Sequence, residues 1–171
     1  MNTYKLIDTF VAKVRAATVP IRPQENAWIF QRLEERLPKR LPQSLEHLLS
    51  RYSFPKSDFC GVTLFGWSPG LEPNEYFDAA TKLKNSLSEL LLPAGYFQIG
   101  RPDTGSFDAV CLDMRMNAQN REYPTVLADH EDILYNNRVK ISRALWPSFR
   151  DLLLTAVEST DAEIYWEEPL T

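Results

Sequence analysis

Residues 95–113 constrain the fold of this chain more than any other stretch. Gly95-Tyr96-Phe97-Gln98-Ile99-Gly100 and Phe107-Asp108-Ala109-Val110-Cys111-Leu112-Asp113 are short apolar arms, separated by Arg101-Pro102-Asp103-Thr104-Gly105-Ser106. Proline presets one turn angle, glycine supplies positive φ, and aspartate bonds nearby backbone, so the middle segment folds the arms back on each other. The run predicts an antiparallel β-hairpin. On the second arm Phe107, Ala109 and Cys111 are expected on one face, and Asp108, Val110 and Leu112 on the other, because side chains alternate along a strand. The alternation is imperfect, which suits a strand with both faces partly covered.

On either side of the hairpin the apolar period is mostly helical. Leu6, Ile7, Phe10, Val11 and Val14 form one stripe, predicting an amphipathic helix over residues 3–17. Pro20 and Pro23 end it, since proline cannot continue a helix interior. A second helix is expected over 25–36, burying Trp28, Ile29 and Leu33. Leu37-Pro38 and Leu41-Pro42 punctuate the chain before a third, whose apolar face is Leu45, Leu48, Leu49 and Tyr52. Cys60 to Trp67 is β-branched and aromatic, bounded by Pro55 and Ser68-Pro69-Gly70, and reads as a strand and turn. Residues 74–92 read as a helix broken near Ser86, with apolar positions Phe77, Ala80, Leu83, Leu87 and Leu90. Met114 to Arg121 read as a loop and Tyr123 to Asp129 as a further strand, with Pro124 near its start, where a missing donor is tolerated. Residues 132–141 carry no clear period. A last helix is opened by Pro147, with Phe149, Leu152, Leu153, Ala156 and Val157 inward. No repeat, linker or low-complexity tract divides the 171 residues, which suit one domain.

A search for chemistry along the chain finds little. The two histidines, His47 and His130, and the two cysteines, Cys60 and Cys111, are not spaced as a zinc site, so no metal is expected. Asp129-His130-Glu131 read as an extended segment would point to alternating faces. The cysteines read as buried, reduced thiols. No Gly-x-Ser-x-Gly, Walker-type or Gly-x-Gly-x-x-Gly motif is present, so neither a catalytic serine nor a nucleotide cofactor is implied. Asp108 and Asp113 have opposite facing on a strand, and Asp103 lies in the turn, so they form no evident acid–base pair. Were the chain an enzyme, Asp108, Asp113, Asp129 and Glu131 would be its carboxylates.

Charge is more informative. The net charge is −4, but residues 1–56 hold ten Lys/Arg against five Asp/Glu, and residues 57–171 nine against eighteen. The tail has five acids and no base: Glu158, Asp161, Glu163, Glu167 and Glu168. Such a field repels nucleic acid and favours cationic partners, although acids also serve simply as a solubilising surface. Arg32, Arg36, Lys39 and Arg40 alternate with Glu34 and Glu35, as on a solvated helix face rather than a nucleic-acid stripe. No run approaches the roughly 20 apolar residues of a membrane span, and Met1 to Lys5 lack a signal peptide's basic start, so a cytoplasmic product is expected.

Leu37-Pro38 to Tyr52 resembles the entry helix of the SUKH superfamily, which includes a fungal cell-wall-synthesis regulator and many bacterial immunity proteins. Gly61 to Trp67 is similar to that family's first strand segment. Phe97 to Gly100 with Gly105 to Asp108 and Leu112-Asp113 resembles its central hairpin, Pro124 to Leu127 with Asp129-His130-Glu131 its acidic-ended strand, and Ser148-Phe149 with Leu152-Leu153 its closing helix. The resemblance covers about residues 25–157, leaving 1–24 as an N-terminal helix and connection and 158–171 as an acidic tail. It implies an α+β domain with a central, mainly antiparallel sheet and helices packed against it. It also implies binding without catalysis or cofactor: an intracellular immunity protein that neutralises a cationic toxin domain, often a nuclease, or else a housekeeping adaptor of the same fold. Partner contact is expected through Trp67, Tyr96, Asp103, Asp108, Asp129 and Glu131, although Trp67 and Tyr96 could equally belong to the core.

Overall fold

In a computed structural model the chain is described at residues 1–24, 28–68, 74–81, 86–116, 120–160 and 163–166. The expected hairpin lies at the centre. Strand β5 (Tyr96–Pro102) pairs antiparallel with β6 (Ala109–Asp113), which pairs antiparallel with β7 (Thr125–Ala128). Every residue of β6 and β7 is buried, as are Tyr96 to Gly100 of β5, so the sheet centre must be covered on both faces.

The larger face presents Phe97, Ile99, Val110, Leu112 and Leu127 to one apolar cluster. Helices α1 (Thr3–Ala16), α2 (Trp28–Glu34), α3 (Gln43–Arg51) and α7 (Phe149–Glu158) supply most of the rest. Their stripes are the expected ones: Leu6, Ile7, Phe10, Val11 and Val14 from α1, Leu45, Leu48 and Leu49 from α3, and Phe149, Leu152, Leu153 and Ala156 from α7. Ser148 caps α7, its hydroxyl accepting from the Asp151 amide at 3.0 Å, so Pro147 stands just outside the helix. The opposite face presents Tyr96, Ala109, Cys111, Val126 and Ala128 to a smaller cluster. Leu91 of α5 (Ser88–Leu91) and Ile133 of α6 (His130–Asn136) close that side. The helix α4 (Glu75–Thr81), capped by the Asn74 carboxamide, sends Tyr76 and Ala79 into the larger cluster.

The remaining strands extend this centre into an antiparallel sheet of order β8-β7-β6-β5-β4-β3-β9, in which β3 is Ser57–Phe59, β4 Val62–Leu64, β8 Ile141–Trp146 and β9 Tyr165–Trp166. A two-stranded ribbon pairs β1 (Arg22–Pro23) with β2 (Tyr52–Ser53). The expected α+β architecture holds: one domain, a mainly antiparallel sheet and helices against it. Among the described residues no helix is long and apolar enough to cross a membrane.

Several local expectations are corrected. Cys60 to Trp67 is not one strand. Cys60 and Gly61 take positive φ of 53° and 79° and form a two-residue turn, with Phe59 opposite Val62 across the β3–β4 hairpin. Phe107 precedes β6 and is exposed instead of inward. The helix expected over 25–36 is seen at Trp28–Glu34, and Trp28 is exposed; the expected positions 25–27, 69–70, 82–85, 117–119, 161 and 167–171 lie outside the described residues.

The N-terminal helix is no appendage to the domain. Its buried stripe is part of the main core, and the Lys13 ammonium donates to the Ala156 and Ser159 carbonyls where α7 ends, the first at 2.5 Å. A cation there satisfies orphan carbonyls and complements the helix dipole. Glu122 does the reverse for two helix starts. Its carboxylate accepts from the Ser44 amide at 2.9 Å and hydroxyl at 2.8 Å, and from the Arg150 amide at 3.3 Å. Burial pushes its pKa up and these hydrogen bonds oppose the rise.

One buried group has no such partner. The Tyr76 ring is fully buried among Phe65, Trp67 and Phe97, and among the described residues its hydroxyl finds neither donor nor acceptor. An unpaired buried hydroxyl costs about 1–3 kcal/mol, so Tyr76→Phe is expected to leave stability unchanged or raise it by about 1 kcal/mol. Urea denaturation of the two proteins checks this, against a loss of about 3–5 kcal/mol for Tyr76→Ala.

Candidate functional site

The six residues expected to meet a partner separate into three places. Trp67 is fully buried: its indole donates to the Leu49 carbonyl at 2.8 Å and its ring stacks on Phe77. Tyr96 is buried in the smaller cluster, with the Arg115 guanidinium 4.6 Å from its ring centroid. Both are therefore core residues with no surface to offer. Asp103 is exposed in the β5–β6 turn, where its amide donates to the Gly61 carbonyl, and it lines a depression shared with Asp58, Cys60 and Trp146. Asp108, Asp129 and Glu131 meet at the start of α6.

That meeting has a definite geometry. Asp129 is the N-cap of α6, its Oδ1 accepting from the Glu131 and Asp132 amides at 2.9 and 3.2 Å. Asp108 enters from the residue before β6, and its Oδ1 accepts from the His130 amide at 3.0 Å and from Nδ1 at 2.6 Å. Burial pushes the Asp108 carboxyl up, but the His130 hydrogen bonds outweigh it and hold the pKa below the usual range. Asp132 secures the far end: its carboxylate accepts from Asn136 at 2.7 Å and Arg138 at 2.8 Å, and lies 3.2 Å from the Lys140 ammonium. Hydrogen bonds from Asn136 and Arg138 lower its pKa to about 2. A seven-residue helix is marginal alone, and here carboxylates from three sources hold it.

An expectation is overturned here. Asp129, His130 and Glu131 were read as extended neighbours facing opposite ways, but His130 and Glu131 are helical, and Asp108, Asp129 and His130 bring one ligand-type atom each within 4.8 Å of one another. Their contacts are those of a cap: the Asp108 and Asp129 Oδ1 atoms accept backbone amides, and the Lys140 ammonium is 3.7 Å from Asp129 Oδ2. Asp113 takes no part, being paired with Arg115 at 2.8 Å at the other end of β6. Among the described residues the His130 imidazole hydrogen-bonds Asp108 and no hydroxyl or thiol, which supplies an oriented imidazole without an attached nucleophile.

His130 also lines a groove of about 540 Å³ between α4, α5 and α6. Gln98 forms part of its floor, a buried carboxamide donating to the Gly100 carbonyl at 3.1 Å. Glu75 and Asp78 of α4 line it, as do Arg101 from β5 and Ser88 from α5. Three large apolar side chains rise around it: Phe107, 63% exposed, Leu134, 61%, and Tyr135, 81%. The Arg101 guanidinium sits 5.7 Å from the Phe107 ring centroid, and the His130 ring 5.9 Å from it. This rim escaped sequence reasoning because Leu134 and Tyr135 fall in the stretch without a legible period. The usable signal was negative: apolar residues that fit no stripe.

Two outcomes follow for the capped helix. Asp108→Ala leaves the His130 amide without its acceptor, an expected loss of about 1–3 kcal/mol in denaturant unfolding with faster hydrogen exchange across α6. Asp132 is depressed from 3.8 to about 2, so it contributes stability above pH 4 that is lost as pH falls toward 2; Asp132→Asn should flatten that part of a stability–pH profile. No protein-family model matches the chain, and no curated protein matches it.

Proposed function

We propose that this chain is a non-catalytic protein-binding domain, and that the partner docks on the face made by α6 and the β5–β6 turn. The observation that carries the proposal is the gathering of Phe107, Leu134 and Tyr135 at 61–81% exposure around one groove. Isolated exposed apolar side chains are ordinary, but contiguous ones rimmed by polar groups mark interaction sites. Tyrosine and arginine are also the residue types that dominate binding energy, and Tyr135 and Arg101 both line this groove.

The finer reading is an intracellular immunity protein that neutralises a cationic toxin domain. It is supported by the resemblance to SUKH proteins and by the excess of acids after residue 57. The acids at this face are unequal in what they offer. Asp108, Asp129 and Asp132 are occupied by capping and by His130, Arg138 and Lys140, whereas Glu131 is exposed beside them. Charge steering of a basic partner therefore falls mainly to Glu131 and to Asp103, which is exposed in the β5–β6 turn.

The test is to inspect the adjacent reading frames for a secreted protein with a C-terminal toxin domain, and to measure binding to, and protection against, any such domain. Tyr135→Ala and Phe107→Ala are expected to weaken binding by about 30-fold or more with unchanged thermal midpoint, since such anchors contribute about 2 kcal/mol or more while being exposed in the free protein. Glu131→Lys should lower the association rate and its dependence on salt. Toxins that stay fully lethal, with endogenous proteins recovered on the same face, would instead identify a housekeeping adaptor. Binding unaffected by either aromatic substitution would overturn the docking face.

A further inference from the structure

The groove behind this rim is lined by two charges of opposite sign that have no ion-pair partner among the described residues. Asp78 is half-buried on the α4 wall, with no ion pair or side-chain hydrogen bond among the described residues. Its neighbour on the same wall, Glu75, is already engaged by Lys56 at 3.4 Å. Arg101, on β5, meets the Phe107 ring but, among the described residues, no carboxylate. Asp78 and Arg101 line the same groove without pairing with each other. Position in the first turns of α4 favours an acid electrostatically but gives the Asp78 carboxylate no donor. The Asp78 carboxylate lines the groove with no cation beside it among the described residues, so a cationic group entering the groove finds an unopposed attraction there.

Resting on the docking face proposed above, we infer that this groove receives an arginine side chain of the partner, with the guanidinium on Asp78 and the adjoining peptide carbonyl on Arg101. Two features select arginine over lysine. The guanidinium fork matches a carboxylate bidentately, and its planar faces stack on aromatic rings such as the Phe107 and Tyr135 rim. The cavity of about 540 Å³ lies within the range of ligand sites, which run from about 300 to 1,000 Å³. The Gln98 carboxamide on its floor has a second N–H to offer the peptide carbonyl. An arginine-bearing loop thus meets a negative group deep in the groove, an aromatic collar, and a positive group for its backbone oxygen.

The probe is the blocked tripeptide acetyl-Gly-Arg-Gly-amide, with citrulline in place of arginine as the neutral isostere, titrated into the full-length ¹⁵N-labelled protein. The arginine peptide is expected to give saturable shifts at Gln98, Phe107 and Tyr135, about tenfold tighter than the citrulline peptide. Asp78→Asn should bring the two peptides together, with any fall in thermal midpoint limited to the small helix-dipole contribution of an acid early in α4. Absence of saturable shifts, equal affinity for the two peptides, or an arginine preference that survives Asp78→Asn would each overturn the inference. The docking face fails separately. If Tyr135→Ala and Phe107→Ala abolish partner binding while the peptides are silent, the groove inference falls and the face stands. If the arginine peptide binds but the partner ignores both aromatic substitutions, the groove stands and the face falls.

Discussion

The pairing of β5 with β6 and of β6 with β7 buries a sheet centre that has no solvent-facing side. Phe97, Val110 and Leu112 each have a neighbour in the chain, Tyr96, Ala109 or Cys111, that points the other way into a second apolar cluster. Fully burying side chains of this size is worth about 1.5–3 kcal/mol each, and one-sided coverage would forfeit much of it. Helices must therefore arrive on both faces. The larger face takes the long amphipathic helices, while the smaller is closed by the short α5 and α6, each bringing one fully inward apolar side chain, Leu91 and Ile133. That asymmetry creates the groove: two short helices cannot cover the face out to α4, so Gln98 is left as floor instead of an apolar residue.

Polar groups settle where those helices sit. Glu122 bonds backbone amides at the starts of α3 and α7, and Lys13 bonds carbonyls at the end of α7, so the long helices are registered by charge as well as by packing. On the other face Asp108, Asp129 and Asp132 do the same for α6. The aspartates that resemble a chemical cluster in the sequence thus act as brackets. Their effect on the surface is indirect: by fixing α6 at both ends they hold Leu134 and Tyr135 beside the groove.

Legibility in the sequence followed burial. The α1, α3 and α7 stripes could be read because each residue's exposure follows its period, whereas along Ala109 to Leu112 the alternation is between two apolar clusters and every residue is buried. Strand β8 was missed because it is a sheet edge whose Ser142, Arg143 and Ala144 are all exposed, leaving no alternation to detect. Helix α6 was missed because only Asp132 and Ile133 of its residues are buried. Cys60 was placed inside a strand because nothing local announces a left-handed cysteine; the β3–β4 pairing imposes it. Trp67 and Tyr96 could be core or surface until the α3 carbonyl and the smaller cluster claimed them.

By itself the sequence determined the antiparallel hairpin, the helices with wide apolar stripes and the α+β class, because turn chemistry and periodicity are local properties of the chain. Only the tertiary structure decided that Asp108 and His130, separated by two strands and their connection, share a hydrogen bond of 2.6 Å. It alone brought Asp78, Arg101, Phe107 and Tyr135 from four elements and connections to one groove. Those placements depend on strand register and on which helix covers which face. Such distances are set by packing across the whole core, and no local pattern encodes them.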